Sequence, residues 1–151
     1  MQERLGRWIA AIHRQEQRFI CRAMEPCGLG FPEYIFLYGI SRHEGCIQKE
    51  LSRAQHMDSA MVTRSIRKLE EQGYLCREKP EPDRRAWQLY LTEKGRALIP
   101  QLEKAMDCWQ ETITREMDDS QKELLLSLLR RAAELGEEAN QLVSETKKGR
   151  E

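Results

Sequence analysis

The apolar positions of the chain follow two rhythms, helical over most of its length and strand-like in one short stretch. Leu5, Trp8, Ile9, Ile12, Phe19, Ile20 and Ala23 recur at the spacing of one helix face, and this helix should stop between Pro26 and Gly30. A more uniformly apolar second helix follows over residues 32–40. Residues 48–54 have the length of a short helix anchored by Leu51, and Gln55, His56 and Met57 separate it from a longer one. The longer helix opens on Asp58, a good N-cap, and ends at Gly73; between them Val62, Ile66 and Leu69 form one stripe toward a core. A helix, a three-residue turn and a longer second helix together make a helix-turn-helix.

The rhythm then changes. Tyr74, Leu75 and Cys76 on one side, and Trp87, Leu89, Tyr90 and Leu91 on the other, have strand-forming side chains, while Pro80 and Pro82 cannot donate to a ladder and belong in the turn between them. Beyond this hairpin Thr92 can cap a long helix whose stripe runs Leu98, Leu102, Ala105, Trp109, Ile113 and Met117. Ser120 with Glu123 matches a capping box for a last helix carrying Leu124, Leu125, Leu128, Leu129, Ala132, Leu135, Ala139 and Leu142. Helices so long and apolar, with no sheet to cover, most simply pack against a second copy, with both ends of the chain in the bundle; packing within one chain is the alternative.

On the wheel of the fourth helix, the side opposite the core stripe carries Ala60, Thr63, Arg64 and Arg67, with Ser59 and Lys68 at its margins. Small polar residues followed by arginine suit a helix entering the major groove, where a guanidinium bonds guanine O6 and N7 together. A solvated helix face is the commoner use of such charges. In the hairpin turn Asp83, Arg84 and Arg85 sit together, and two adjacent guanidinium groups on a projecting loop can reach phosphates or the minor groove. Asp83 would repel phosphate, so its role is to support the wing by pairing with Arg77 or Arg84. An ordinary solvated turn is the alternative here as well.

In order and spacing, Gln48-Lys49-Glu50-Leu51-Ser52, Asp58 through Gly73, Pro82-Asp83-Arg84-Arg85-Ala86 and Leu91-Thr92-Glu93-Lys94-Gly95 resemble the MarR family of bacterial regulators over roughly residues 30–100. Ile47 departs from the family, which often has Ser or Thr as the N-cap of the third helix. The resemblance implies a mainly α fold with a small β-hairpin wing: a winged helix-turn-helix region over 31–96, with a linking second helix over 31–42, and a helical dimerisation region over 1–30 and 97–151. It further implies a homodimer on pseudo-palindromic double-stranded DNA, usually a repressor, with Thr63 and Arg64 on the reading helix and Arg85 in the minor groove. Two reading helices must lie about 34–36 Å apart to enter successive major grooves, so whatever changes that spacing switches binding off. In the family, small aromatic or phenolic effectors or thiol oxidation do so. His13, Arg18, Tyr34, Phe36, Tyr38 and Trp109 are the candidates to line such a ligand cleft. Aromatics at this spacing more often pack a core.

Charge sharpens the picture. The chain is neutral overall, with 25 Lys and Arg against 25 Asp and Glu. Between Arg42 and Arg96, however, there are 12 Lys and Arg against 9 Asp and Glu, and beyond Arg96 there are 8 against 12, so the basic charge sits on the reader. The five cysteines, Cys21, Cys27, Cys46, Cys76 and Cys108, include no CxxC pair, which indicates neither a disulfide framework nor a thiol zinc cluster. The family's peroxide-sensing cysteine aligns near Gly6, so buried, inert thiols are the expectation, with a thiol-redox-sensing variant of the same regulator as the alternative. His43 and Cys46 alone make a poor metal pair, and neither a metal nor a cofactor is called for. No phosphate loop, nucleophile elbow or apolar-set carboxylate pair points to an enzyme. With no membrane-spanning apolar run and no signal-peptide pattern in Met1-Gln2-Glu3-Arg4, a cytoplasmic protein is expected. The rival reading is a helical adaptor for another protein, which would leave Arg64, Arg67, Arg84 and Arg85 without a task.

Overall fold

A computed structural model describes residues 4–79 and 86–148, with side chains through residue 143. The described elements are α1 (Leu5–Met24), a 3-10 turn (Glu25–Cys27), α2 (Glu33–Arg42), α3 (Gln48–Ala54), α4 (Ser59–Glu71), β1 (Leu75–Glu78), β2 (Gln88–Leu91), α5 (Glu93–Ile113) and α6 (Asp119–Lys148). The chain divides into two compact units, Met1–Gln110 and Glu111–Glu151.

The first unit is organised around α2, whose Phe36, Leu37 and Ile40 are fully buried beside Ile20 and Met24 of α1, Val62, Ile66 and Leu69 of α4, Leu89 of β2 and Leu102 of α5. Each such side chain contributes about 1.5–3 kcal/mol on leaving water. α1 runs into the 3-10 turn, which stops where Gly28 takes φ +68, a left-handed conformation open to glycine. α4 begins with the Asp58 carboxylate accepting from the Met61 amide at 2.9 Å, and it ends before Gly73 at φ +76.

β1 and β2 pair antiparallel, Leu75 opposite Leu91 and Arg77 opposite Leu89, which turns Leu75, Leu89 and Leu91 into the core. The outer edge of β2 is covered by residues 45–47: the Gly45 amide donates to Leu89 O, the Leu89 amide to Cys46 O, and Ile47 bridges Gln88. Tyr74 lies outside β1 and Trp87 just before β2, correcting the longer strands read from the sequence. Tyr74 is instead buried, its hydroxyl donating to Cys27 O, and the Thr92 amide donates to Tyr74 O. Thr92 caps α5, accepting from the Gly95 amide at 3.1 Å.

Two boundaries differ from expectation. α5 stops at Ile113, leaving Met117 in a turn where its amide donates to Thr114 O. The cap before α6 is made by Asp118 and Gln121, each side chain bonding the other's backbone amide at 2.9–3.0 Å, and not by Ser120 and Glu123. None of the described side chains of α6 is buried.

Candidate nucleic-acid interface

Val62, Ser65, Ile66 and Leu69 fix α4 from behind, and the opposite face stands open: Ser59, Ala60, Thr63, Arg64, Arg67 and Lys68 are all exposed. α3 sets the height and tilt of this helix. Its Leu51 is buried, its first turn is closed by the Ile47 amide donating to Glu50 Oε2 at 3.0 Å, and Ser52 Oγ donates to Met57 O across the turn. Ile47 has no side-chain acceptor for the first-turn amides; the Glu50 carboxylate makes only the other half of a capping box by accepting from the Ile47 amide itself, and the Glu50 amide falls back on Ile47 O. His56, at φ 51, takes the left-handed position that lets the chain reverse within three residues.

The cations of the face are not equivalent. Arg64 has no ion-pair partner among the described residues. Arg67 reaches forward to Glu71 at 2.9 Å, a solvated pair that DNA can outcompete. Lys68 turns back to the buried Glu33 of α2 at 3.1 Å, so it ties the reading helix to its support. The Thr63 hydroxyl donates to Ser59 O at 2.8 Å and accepts from the half-buried Gln48 at 3.2 Å.

At the base of the wing Arg77 bonds Glu70 of α4 at 2.8 Å and Gln48 Oε1 at 3.0 Å, which fixes the hairpin against the reading helix. Lys79 stacks over the exposed Trp87 ring at 4.7 Å. Asp83, Arg84 and Arg85 lie outside the described residues, and with them the expected Asp83 partner of Arg77 or Arg84. The sequence reading missed Gln48, Glu70 and Glu33 as parts of this site. Their bonds join residues 7 to 35 positions apart across different elements, where no helical or strand spacing rule applies.

The six candidate ligand residues separate. Phe36 is wholly enclosed and Tyr34 nearly so, both within the core; burial also pushes the Tyr34 phenol far up. Tyr38 is half-buried against the core. His13 accepts from the Gln17 amide at 2.6 Å and meets Phe31 edge-on. Arg18 and Trp109 do come together, lining with Phe19 and Arg22 a groove of about 590 Å³ between α1 and α5. A second cleft of about 430 Å³ holds His43, Glu50 and Cys46, whose thiol burial pushes up. No metal-holding group of three ligands occurs among the described residues. Among the described residues no disulfide joins the five cysteines; Cys108 is exposed and the others half-buried, which corrects the expectation of buried thiols. No described helix is long and apolar enough to cross a membrane.

A basic helix held out by a three-residue turn, with a hairpin locked to its C-terminal half, is a winged helix-turn-helix, the architecture of a DNA-binding regulator. The family pattern described as MarR family matches residues 32–87. A solved MarR transcriptional regulator from Methanosarcina mazei is 33% identical, with a TM-score of 0.80 over 89% of this chain and 96% of that one. The chain belongs to the MarR family of transcriptional regulators. The HTH-type transcriptional regulator BilQ of Clostridioides difficile is 28% identical over 127 residues, 83% of this chain and 86% of that protein. A MarR-family regulator from Listeria monocytogenes, solved with a 26mer DNA, shares the fold at 21% identity, TM-score 0.84, over 88% of this chain and 89% of that one.

Proposed function

We propose that this regulator reads a pseudo-palindromic operator as a homodimer and acts as a repressor released by a small aromatic or phenolic ligand. Ser59, Ala60, Thr63, Arg64 and Arg67 of α4 enter the major groove; Arg84 and Arg85 of the wing enter the minor groove. The observation that carries this reading is the α4 face itself, six exposed residues backed by a buried stripe, with Arg64 unpaired among the described residues. The Listeria relative's complex with DNA supports it. Lys68, held by Glu33, acts as a strut before it acts as a contact. Arg77 steadies the wing through Glu70; Asp83 is the further candidate support, paired with Arg77 or Arg84.

Dimerisation rests on the outer helices, residues 1–30 and 97–151. α1 exposes Leu5, Trp8, Ile9 and Ile12, and α6 exposes Leu124, Leu128, Leu129, Leu135 and Leu142, two apolar faces that a second copy would cover. The effector fits the α1–α5 groove, where Arg18 and Arg22 supply positive charge for a carboxylate or phenolate and Trp109 supplies a ring face.

Binding to duplex DNA, followed by fluorescence anisotropy against salt, tests the reading. The apparent affinity of the wild type falls steeply as salt rises. Arg64→Ala costs about 1–3 kcal/mol and relaxes preference at one base position. Arg85→Ala weakens binding with its thermal melting unchanged. A salt-independent interaction, or undiminished affinity in both variants, favours the adaptor reading instead.

A further inference from the structure

Thr63 stands at the centre of the exposed α4 face, yet its one hydroxyl proton and one of its lone pairs are already engaged. A threonine hydroxyl has one proton and two lone pairs. The proton goes to Ser59 O at 2.8 Å, and one lone pair takes the Gln48 Nε2 donor at 3.2 Å. No proton remains to donate to a base acceptor. The other branch of this exposed side chain is its γ-methyl, and Ala60, three residues earlier on the same face, adds a second methyl. The distinctive apolar group that a base presents in the major groove is the thymine C5-methyl.

Gln48 is what holds this arrangement. Its Oε1 accepts from Arg77 Nη1 at 3.0 Å, and Arg77 is in turn fixed by Glu70 at 2.8 Å, so the amide has one preferred orientation, with Nε2 turned to Thr63. The chain of bonds from Glu70 through Arg77 and Gln48 to Thr63 starts and ends on α4, passing through the wing and the first residue of α3. With its carbonyl end occupied by a guanidinium, Gln48 cannot flip to offer Thr63 an acceptor.

We infer that Gln48 is a positioning residue that locks Thr63 as a methyl reader, so that the protein recognises thymine by its C5-methyl group at the base pair facing Thr63. This rests on the placement of α4 in the major groove proposed above.

The test uses the full chain and the tightest duplex recovered from a random pool, with each thymine replaced singly by uracil. That replacement removes only the C5-methyl and leaves base pairing intact. The wild type loses about four-fold in affinity at one thymine of a recognised half-site, the worth of one buried methyl-sized group. Thr63→Ser, which keeps the hydroxyl and lacks the methyl, binds the thymine and uracil duplexes alike there. Gln48→Ala lowers the same thymine-to-uracil ratio, and adding it to Thr63→Ser causes no further loss of discrimination. Equal wild-type affinity for every uracil duplex, or full discrimination kept by Thr63→Ser, overturns the methyl reading. An unchanged ratio in Gln48→Ala overturns the positioning role. If the wild type recovers no preferred duplex at all, the reading of α4 as a DNA probe falls first, and this inference with it.

Discussion

A Cβ added at Gly95 would meet the Tyr74 carbonyl oxygen at 2.0 Å, a distance no non-bonded carbon and oxygen can hold. The carbonyl is backbone, fixed by the Thr92 amide, so it cannot swing aside. Gly95→Ala therefore forces α5 away from the start of the wing and costs about 1–3 kcal/mol or more. Thermal denaturation checks this: the variant should melt several degrees below the wild type, and equal melting would mean that the helix is free to shift. The Asp58 cap and the Gly73 stop were legible in the sequence because capping chemistry is local and residue-specific. The direction taken by Lys68 was not. Helical spacing puts it at the margin of the reading face, and only the packing of α2 against α4 brings the buried Glu33 within 3.1 Å of it.

Between elements, the clamp formed by Arg77 with Glu70 and Gln48 sets the angle of the wing. Arg77 and Glu70 are each about a quarter to a third exposed, so solvent screens much of the pair's worth, leaving a stability contribution near 1 kcal/mol. Under the proposed reading its effect on recognition is larger, because the hairpin and α4 would engage DNA together. Arg77→Ala should lower the melting temperature only slightly while weakening operator binding at least ten-fold in an anisotropy titration; matched small losses would reduce Arg77 to an ordinary surface residue. The order of elements was readable from the change of hydrophobic rhythm after Gly73. The start of α6 was misread because two N-cap and acceptor pairs overlap, Asp118 with Gln121 and Ser120 with Glu123. The earlier pair prevails, since each added helical residue contributes a hydrogen bond once the helix is nucleated. The burial of the α2 aromatics was not legible for a similar reason: spacing puts Tyr34 and Phe36 on α2 but does not say that the helix is covered on nearly every side.

For the molecule as a whole, charge and apolar surface are divided by task. Positive charge concentrates between Arg42 and Arg96, and the acidic excess lies beyond it, which favours DNA approaching the reader and discourages nonspecific coating. α6 exposes leucine after leucine, the surface that the proposed second copy would cover. Sedimentation at micromolar concentration should give twice the chain mass, and Leu128→Glu should shift it toward the single chain; an unshifted wild-type monomer would remove the dimer from the account. The most direct test of the central claim is selection of bound duplexes from a random pool by the wild type and by Arg64→Ala. The wild type should enrich an inverted repeat with half-site centres about one helical turn apart. Arg64→Ala should recover the same spacing with one base pair per half-site degenerate. No enrichment by the wild type, or the same consensus from both proteins, would contradict the claim that α4 reads the DNA.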